Sequence, residues 1–142
     1  MNDNRILIVE DEFIVALNLR QIMSNMGFEV IGIAPDAATA YRLAEQKPDI
    51  ALVDLNLRDG PTGPEIGAKL SQQFGATVLF LTANPAQLGE GIEGTIGVLS
   101  KPVDEDAIEN VLDFLVSYRM GHPASPPSSV RMFNDKGSDE RH

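Results

Sequence analysis

The sequence contains no cysteine. Disulfides, thiolate metal sites and a Cys nucleophile are therefore excluded, and the chain suits a cytoplasmic setting. Histidine is almost as scarce. The two present, His122 and His142, fall within the last 21 residues. A His-based zinc site or a Ser-His-Asp triad in the folded part is not expected. No apolar run is long enough to cross a membrane, and "MNDNR" leads into a charged strand start rather than a signal peptide. Positive charge is also sparse, with 11 Lys and Arg against 21 Asp and Glu and a net charge of −10. The deficit lies in residues 1–118, which hold 7 basic and 18 acidic side chains. Such a surface repels phosphate backbones, so no nucleic-acid partner is expected. It suits a bound cation or a basic protein partner.

What is present is a chain of 142 residues, 43% hydrophobic, long enough for one domain with a sizeable core. Short apolar runs alternate with helical patterns. Strands are expected at 5–9, 28–34, 49–55, 76–83 and 94–101. Helices are expected at 12–27, 35–48, 62–75 and 103–120. Ile14, Leu17, Ile22 and Met26 read as part of the apolar stripe of the first helix, with Gly27 as its stop. Asp36 is placed to cap the second helix and Pro48 to close it. The last helix carries acids in its first turn and Arg119 in its last, as the macrodipole favours. Continuous apolar strands separated by helices imply a doubly wound α/β domain around a five-stranded parallel sheet covered on both faces. Between the fourth and fifth strands, "NPAQLGEGIEG" holds three glycines, so a fourth helix there should be short or irregular. The domain is expected over 1–120. Residues 121–142, rich in Pro, Ser, Gly and charge, read as a disordered tail. Val130, Met132 and Phe133 give that tail a second reading as a partner-docking arm.

Sites in open α/β sheets lie beyond the carboxyl ends of the strands. There the sequence places Glu10, Asp11 and Glu12 after strand one, Asp54 at the end of strand three, Thr82 at the end of strand four, and Lys101 after strand five. Glu12 suits a helix start. Glu10, Asp11 and Asp54 cannot converge as bare anions; either one is protonated or a cation sits among them. With oxygen donors alone, Mg2+ is the natural choice. Carboxylates, Mg2+, a lysine and a hydroxyl together suit phosphoryl transfer, in which a carboxylate can act as nucleophile.

Four pieces, "ILIVEDE", "IALVDLNLRDG", "VLFLTA" and "VLSKPV", occur in that order over residues 5 to about 118. Together they resemble the receiver domain of two-component response regulators, the CheY-like relative of the flavodoxin fold, in its stand-alone single-domain form. The resemblance implies strand order 2-1-3-4-5. It implies that Asp54 is the phosphoacceptor, supplied by a sensor histidine kinase or phosphotransfer protein. It further implies that Asp11 ligates Mg2+ directly, Glu10 largely through water, and Asn56 through its backbone carbonyl. Thr82 would be the switch hydroxyl and Lys101 the ion-pair partner of the phosphoryl group, held by a cis Lys101–Pro102 bond. The protein would be a regulator rather than an enzyme, with at most slow self-dephosphorylation. It would be a monomer or weak dimer acting on a downstream protein or as a phosphate sink.

The sequence departs from that family in three places. Val98 stands where the family's switch aromatic usually lies. The loop "NLRDGPTG" has Arg58 in place of a common proline and is one residue longer. The segment before strand five is glycine-rich. These features resemble stand-alone receivers and the receivers of stress-response regulators found with alphaproteobacterial kinases. They also keep open a constitutive interaction domain that does not switch. A dehalogenase-type hydrolase would want a second aspartate where "DLN" has Asn56. A flavodoxin-like cofactor binder would want a phosphate-cradling loop where "EDE" stands.

Overall fold

The computed structural model describes residues 5–55, 57, 60, 62–83, 91–92, 94–101, 103–122 and 125–133. In chain order the elements are β1 (Arg5–Val9), α1 (Phe13–Asn25), β2 (Glu29–Ala34), α2 (Ala37–Ala44), β3 (Ile50–Asp54), α3 (Gly63–Phe74), β4 (Thr77–Thr82), β5 (Gly97–Ser100), α4 (Glu105–Arg119) and β6 (Val130–Met132).

The apolar strands alternate between two cores, as the period of two demands. Ile6, Ile8, Ile50, Leu52, Leu79 and Leu81 face one layer, which α1 and α4 cover. Leu7, Val9, Ala51, Val53, Val78 and Phe80 face the other, beneath α2 and α3. With both faces buried, these strands read as unbroken apolar runs. Sheet order is β2-β1-β3-β4-β5-β6. The first five strands are parallel, in the expected order.

Helix ends follow local chemistry. Asp36 accepts a hydrogen bond from Thr39 N at 2.9 Å, and Asp104 one from Ala107 N at 2.8 Å. Glu12 occupies the N-cap of α1 without a side-chain cap; its carbonyl accepts from Ala16 N at 2.9 Å. The buried stripe of α1 is Ala16, Leu19, Ile22 and Met23. Ile14 is 78% exposed and Leu17 only half-buried, so the expected stripe is rotated. Ala16 takes the buried position in place of Ile14, while Ile22 stays in the stripe. α2 ends at Ala44, before Pro48.

The expected fourth helix falls on residues 84–93, of which all but 91 and 92 lie outside the described residues. Residues 91–92 and 94–96 are not helical. The disordered reading of the tail is corrected for residues 125–133. Val130–Met132 forms β6, antiparallel to β5, pairing Gly97 with Met132, Val98 with Arg131 and Leu99 with Val130. Composition concealed this strand because its partner is an edge on the other side of the sheet. No helix among the described residues is long and apolar enough to cross a membrane.

Candidate functional site

Parallel strands bring all their carboxyl ends to one rim, and β1, β3, β4 and β5 each deliver a polar residue there. Asp54 ends β3 opposite Leu81 of β4, and Thr82 follows opposite Ser100 of β5. Lys101 comes next, its backbone N–H donating to Thr82 O at 2.8 Å. After β1, Glu10 N donates to Ala34 O at 2.9 Å, so the chain stays in the sheet for one further residue. Glu10, Asp54 and Thr82 are the buried polar side chains of the described core.

Glu10, Asp11 and Asp54 each offer a carboxylate oxygen, and the three oxygens lie within 4.8 Å of one another. Lys101 Nζ stands 3.3 Å from Glu10 Oε1 and 3.5 Å from Asp54 Oδ1. The other oxygen of Glu10 accepts from Glu12 N at 3.2 Å. Burial, reinforced by the charge of Asp54, pushes the Glu10 carboxyl up to about 7, against the pull of Lys101. Burial works against the Lys101 charge, but Glu10 and Asp54 outweigh it and hold the ammonium above its usual value. The donor set is three carboxylates with no nitrogen or sulfur. That suits a hard divalent cation such as Mg2+, whose charge would offset the crowding that raises Glu10.

The loop after β3 is drawn tightly back. Leu57 and Gly60 form an antiparallel bridge, and Gly63 N donates to Leu55 O at 3.3 Å. A side chain on Gly63 would lie 2.5 Å from Asp54 O and from Leu55 Cα. Glycine there lets α3 start directly against the residue that carries the Asp54 carboxylate. Sequence reasoning missed this contact, although "TG" at a helix start was a usable signal.

The structure thus brings together Glu10, Asp11, Asp54 and Lys101, with Thr82 on the same rim. Asn56, Arg58 and Pro102 lie outside the described residues. Val98 is buried beside Phe80, and the ring of Phe133, from the tail, packs in the same layer against Phe80.

The chain matches the response regulator receiver domain family across residues 6–113. It belongs to that family. Receivers are phosphoacceptors rather than classical enzymes and bind Mg2+ at an acidic pocket, and this receiver carries such a cluster in Glu10, Asp11 and Asp54. It is 34% identical over 88 residues to the phyllosphere-induced regulator PhyR of Methylorubrum extorquens, covering 61% of this chain and 33% of that one. Among solved structures, the response regulator PhyR from Brucella abortus superposes with a TM-score of 0.74 at 27% identity, over 82% of this chain and 49% of that one. The receiver domain of PhyR from Erythrobacter litoralis gives 0.69 at 28% identity, over 88% and 95%. The receiver thus spans a third to a half of the longer PhyR chains and nearly all of the isolated domain.

Proposed function

We propose that the protein is a phosphorylation-switched signalling module. The observation that carries this reading is the convergence of Asp54 with Glu10, Asp11 and Lys101 at the rim of the sheet. Asp54 is the acceptor. Its carboxylate oxygen attacks phosphorus in line, an O–P bond forms, and the P–N bond of a donor phosphohistidine breaks. The imidazole leaves with the electron pair and takes up a proton from solvent. Glu10, Asp11 and Asp54 would hold Mg2+, which when bound would supply charge neutralisation for the phosphoryl oxygens. Lys101 is already within ion-pair range of Asp54, so a small movement of its ammonium meets the new phosphoryl charge. Thr82 supplies a hydroxyl from the adjacent strand end. Loss of negative charge from the carboxylate and gain of a dianion beside it biases the rim between two arrangements. Residues 1–120 form the switching unit. The donor is a sensor histidine kinase or a phosphotransfer protein, and output passes by docking to a protein partner or by draining phosphate from the donor.

The test is direct. The protein is incubated with acetyl phosphate and Mg2+ and its intact mass is read. One phosphoryl adduct is expected in the wild type and none in Asp54→Asn. An adduct that persists in the variant, or that forms equally with a chelator present, defeats the assignment.

A further inference from the structure

The edge of β5 is covered by the chain's own β6, and the fit is specific on both faces of the strand. Val130 and Met132 pack into the layer of α1 and α4, while Phe133 packs into the layer of α2 and α3. The ladder continues past β6 through Phe133 N, which donates to Ile96 O at 3.1 Å. The Phe133 ring lies 6.2 Å from that of Phe80. The guanidinium of Arg131 stands 5.7 Å from the Phe133 ring. Two glycines make the room. A side chain on Gly97 would lie 2.7 Å from Arg131 O and 3.2 Å from Met132 Cα, and one on Gly91 would run into the Phe133 ring. Gly97 at the start of β5 thus leaves room for a backbone, and Gly91 for an aromatic ring.

The cover itself is slight. Three ladder pairs hold it. It is joined to α4 through residues 121–129, a Pro- and Ser-rich stretch whose described residues form neither helix nor strand. Of its four residues only Val130 is fully buried; Arg131 is exposed.

We propose that the β5 edge is a docking site for an extended partner strand of the pattern apolar–basic–apolar–aromatic, entering antiparallel, and that Val130–Phe133 occupies it in cis. The pattern follows from the occupant, and a basic second position suits a domain with 18 acidic against 7 basic residues over 1–118. Backbone pairing supplies affinity, and the Phe133 socket supplies selectivity. The tether sets the threshold. A tether this short holds its strand at an effective concentration on the order of 1 mM, so a partner strand competes only when it binds more tightly than the tail does. The site lies on β5 and stands or falls independently of phosphorylation at Asp54.

The probe is a fluorescein-labelled peptide of the sequence Ser128–Phe133, read by anisotropy on the full chain. Two variants open the edge differently. Val130→Asp disfavours burial of the tail, and Arg131→Pro breaks its ladder while keeping the apolar side chains. Both are expected to bind the peptide at least tenfold more tightly than the wild type. Adding Gly97→Val to either should abolish that binding, and a scrambled peptide should not bind at all. Opened variants no better than wild type, or binding indifferent to Gly97→Val, overturn the proposal. So does loss of folding in both variants, which makes β6 an integral strand. A dimer lost on Gly97→Val also overturns it, since the occupant is then a second copy's tail.

Discussion

The ammonium of Lys101 lies 3.3 Å from Glu10 Oε1, an ion pair that spans the whole crevice. Lys101 follows β5 and Glu10 follows β1, with β3 and β4 between them. The pair closes over Asp54, which sits at the end of β3 within 3.5 Å of the same ammonium. Three strand ends, those of β1, β3 and β5, are thereby tied by one cation, and the site's electrostatics become measurable as stability.

Glu10 provides the pH-dependent part. Its carboxyl titrates near 7 in the fold, well above its ordinary value of 4.5. The folded state thus binds the proton more tightly than the unfolded chain. The stabilisation is fully present below pH 4.5 and is lost as pH rises through about 7. Metal-free wild type should fall in stability between pH 5 and pH 8 by up to about 3 kcal/mol more than Glu10→Gln. Parallel thermal or denaturant melts of the two proteins read this difference. Parallel curves across that range would contradict it.

Asp11 is half-buried and lies outside both cores, so its loss should spare the fold. Asp11→Asn is expected to weaken Mg2+ binding at least tenfold while leaving the melting temperature within a few degrees. Titration calorimetry with Mg2+ at pH 8, where Glu10 is ionised, makes the comparison. Unchanged affinity would remove Asp11 from the metal site.

Gly63 joins helix packing to the site. Gly63→Ala puts a methyl group against the carbonyl of Asp54 and Cα of Leu55, both backbone atoms that cannot step aside. The start of α3 must shift, at a cost of about 1–3 kcal/mol. Phosphoryl uptake from acetyl phosphate should slow with it. A variant of full stability and rate would show that the loop after β3 relaxes freely.

Arg119 anchors the opposite end of the sheet. It donates to Asp49 O at 2.7 Å and to Thr77 Oγ1 at 2.9 Å, and meets Asp49 Oδ1 at 3.3 Å. Asp49 Oδ2 also accepts from Arg5 N at 3.1 Å. Arg119→Met leaves the Asp49 acceptors short of a donor, with an expected loss of about 1–3 kcal/mol. The phosphorylation rate of the folded protein should not change, because the anchor lies at the amino end of β3 and β4. A slowed rate at equal stability would link the two ends of the sheet.

The parts most legible in the sequence were those set by local pattern. β1, β3 and β4 are unbroken apolar runs because both of their faces are buried, and the polar residues at their carboxyl ends, Glu10, Asp54 and Thr82, mark the rim. Asp36 caps α2 where a short acid precedes an apolar period, whereas Asp104, read as lying within the last helix, proves to be its cap. What escaped depends on distant partners. Ile14 looks like core, yet it faces outward and Ala16 is buried instead. β6 is three residues in a Pro- and Ser-rich stretch, and only the β5 edge with its two glycines makes it a strand. The backbone bond of Glu10 to Ala34 of β2, which carries the pairing one residue past β1, is likewise invisible within "ILIVEDE".

The antiparallel strand also decides how the molecule behaves at high concentration. Without it, the sheet would end at β5, an edge of buried apolar residues whose open N–H and C=O groups could template a second chain. With it, the outermost strand on that side is three residues long and carries an exposed arginine at its centre. Short, charged edges pair poorly with their own kind. Colloidal solubility is thus built into the same residues that close the sheet, and a chain cut after Met120 should precipitate at concentrations the intact protein tolerates.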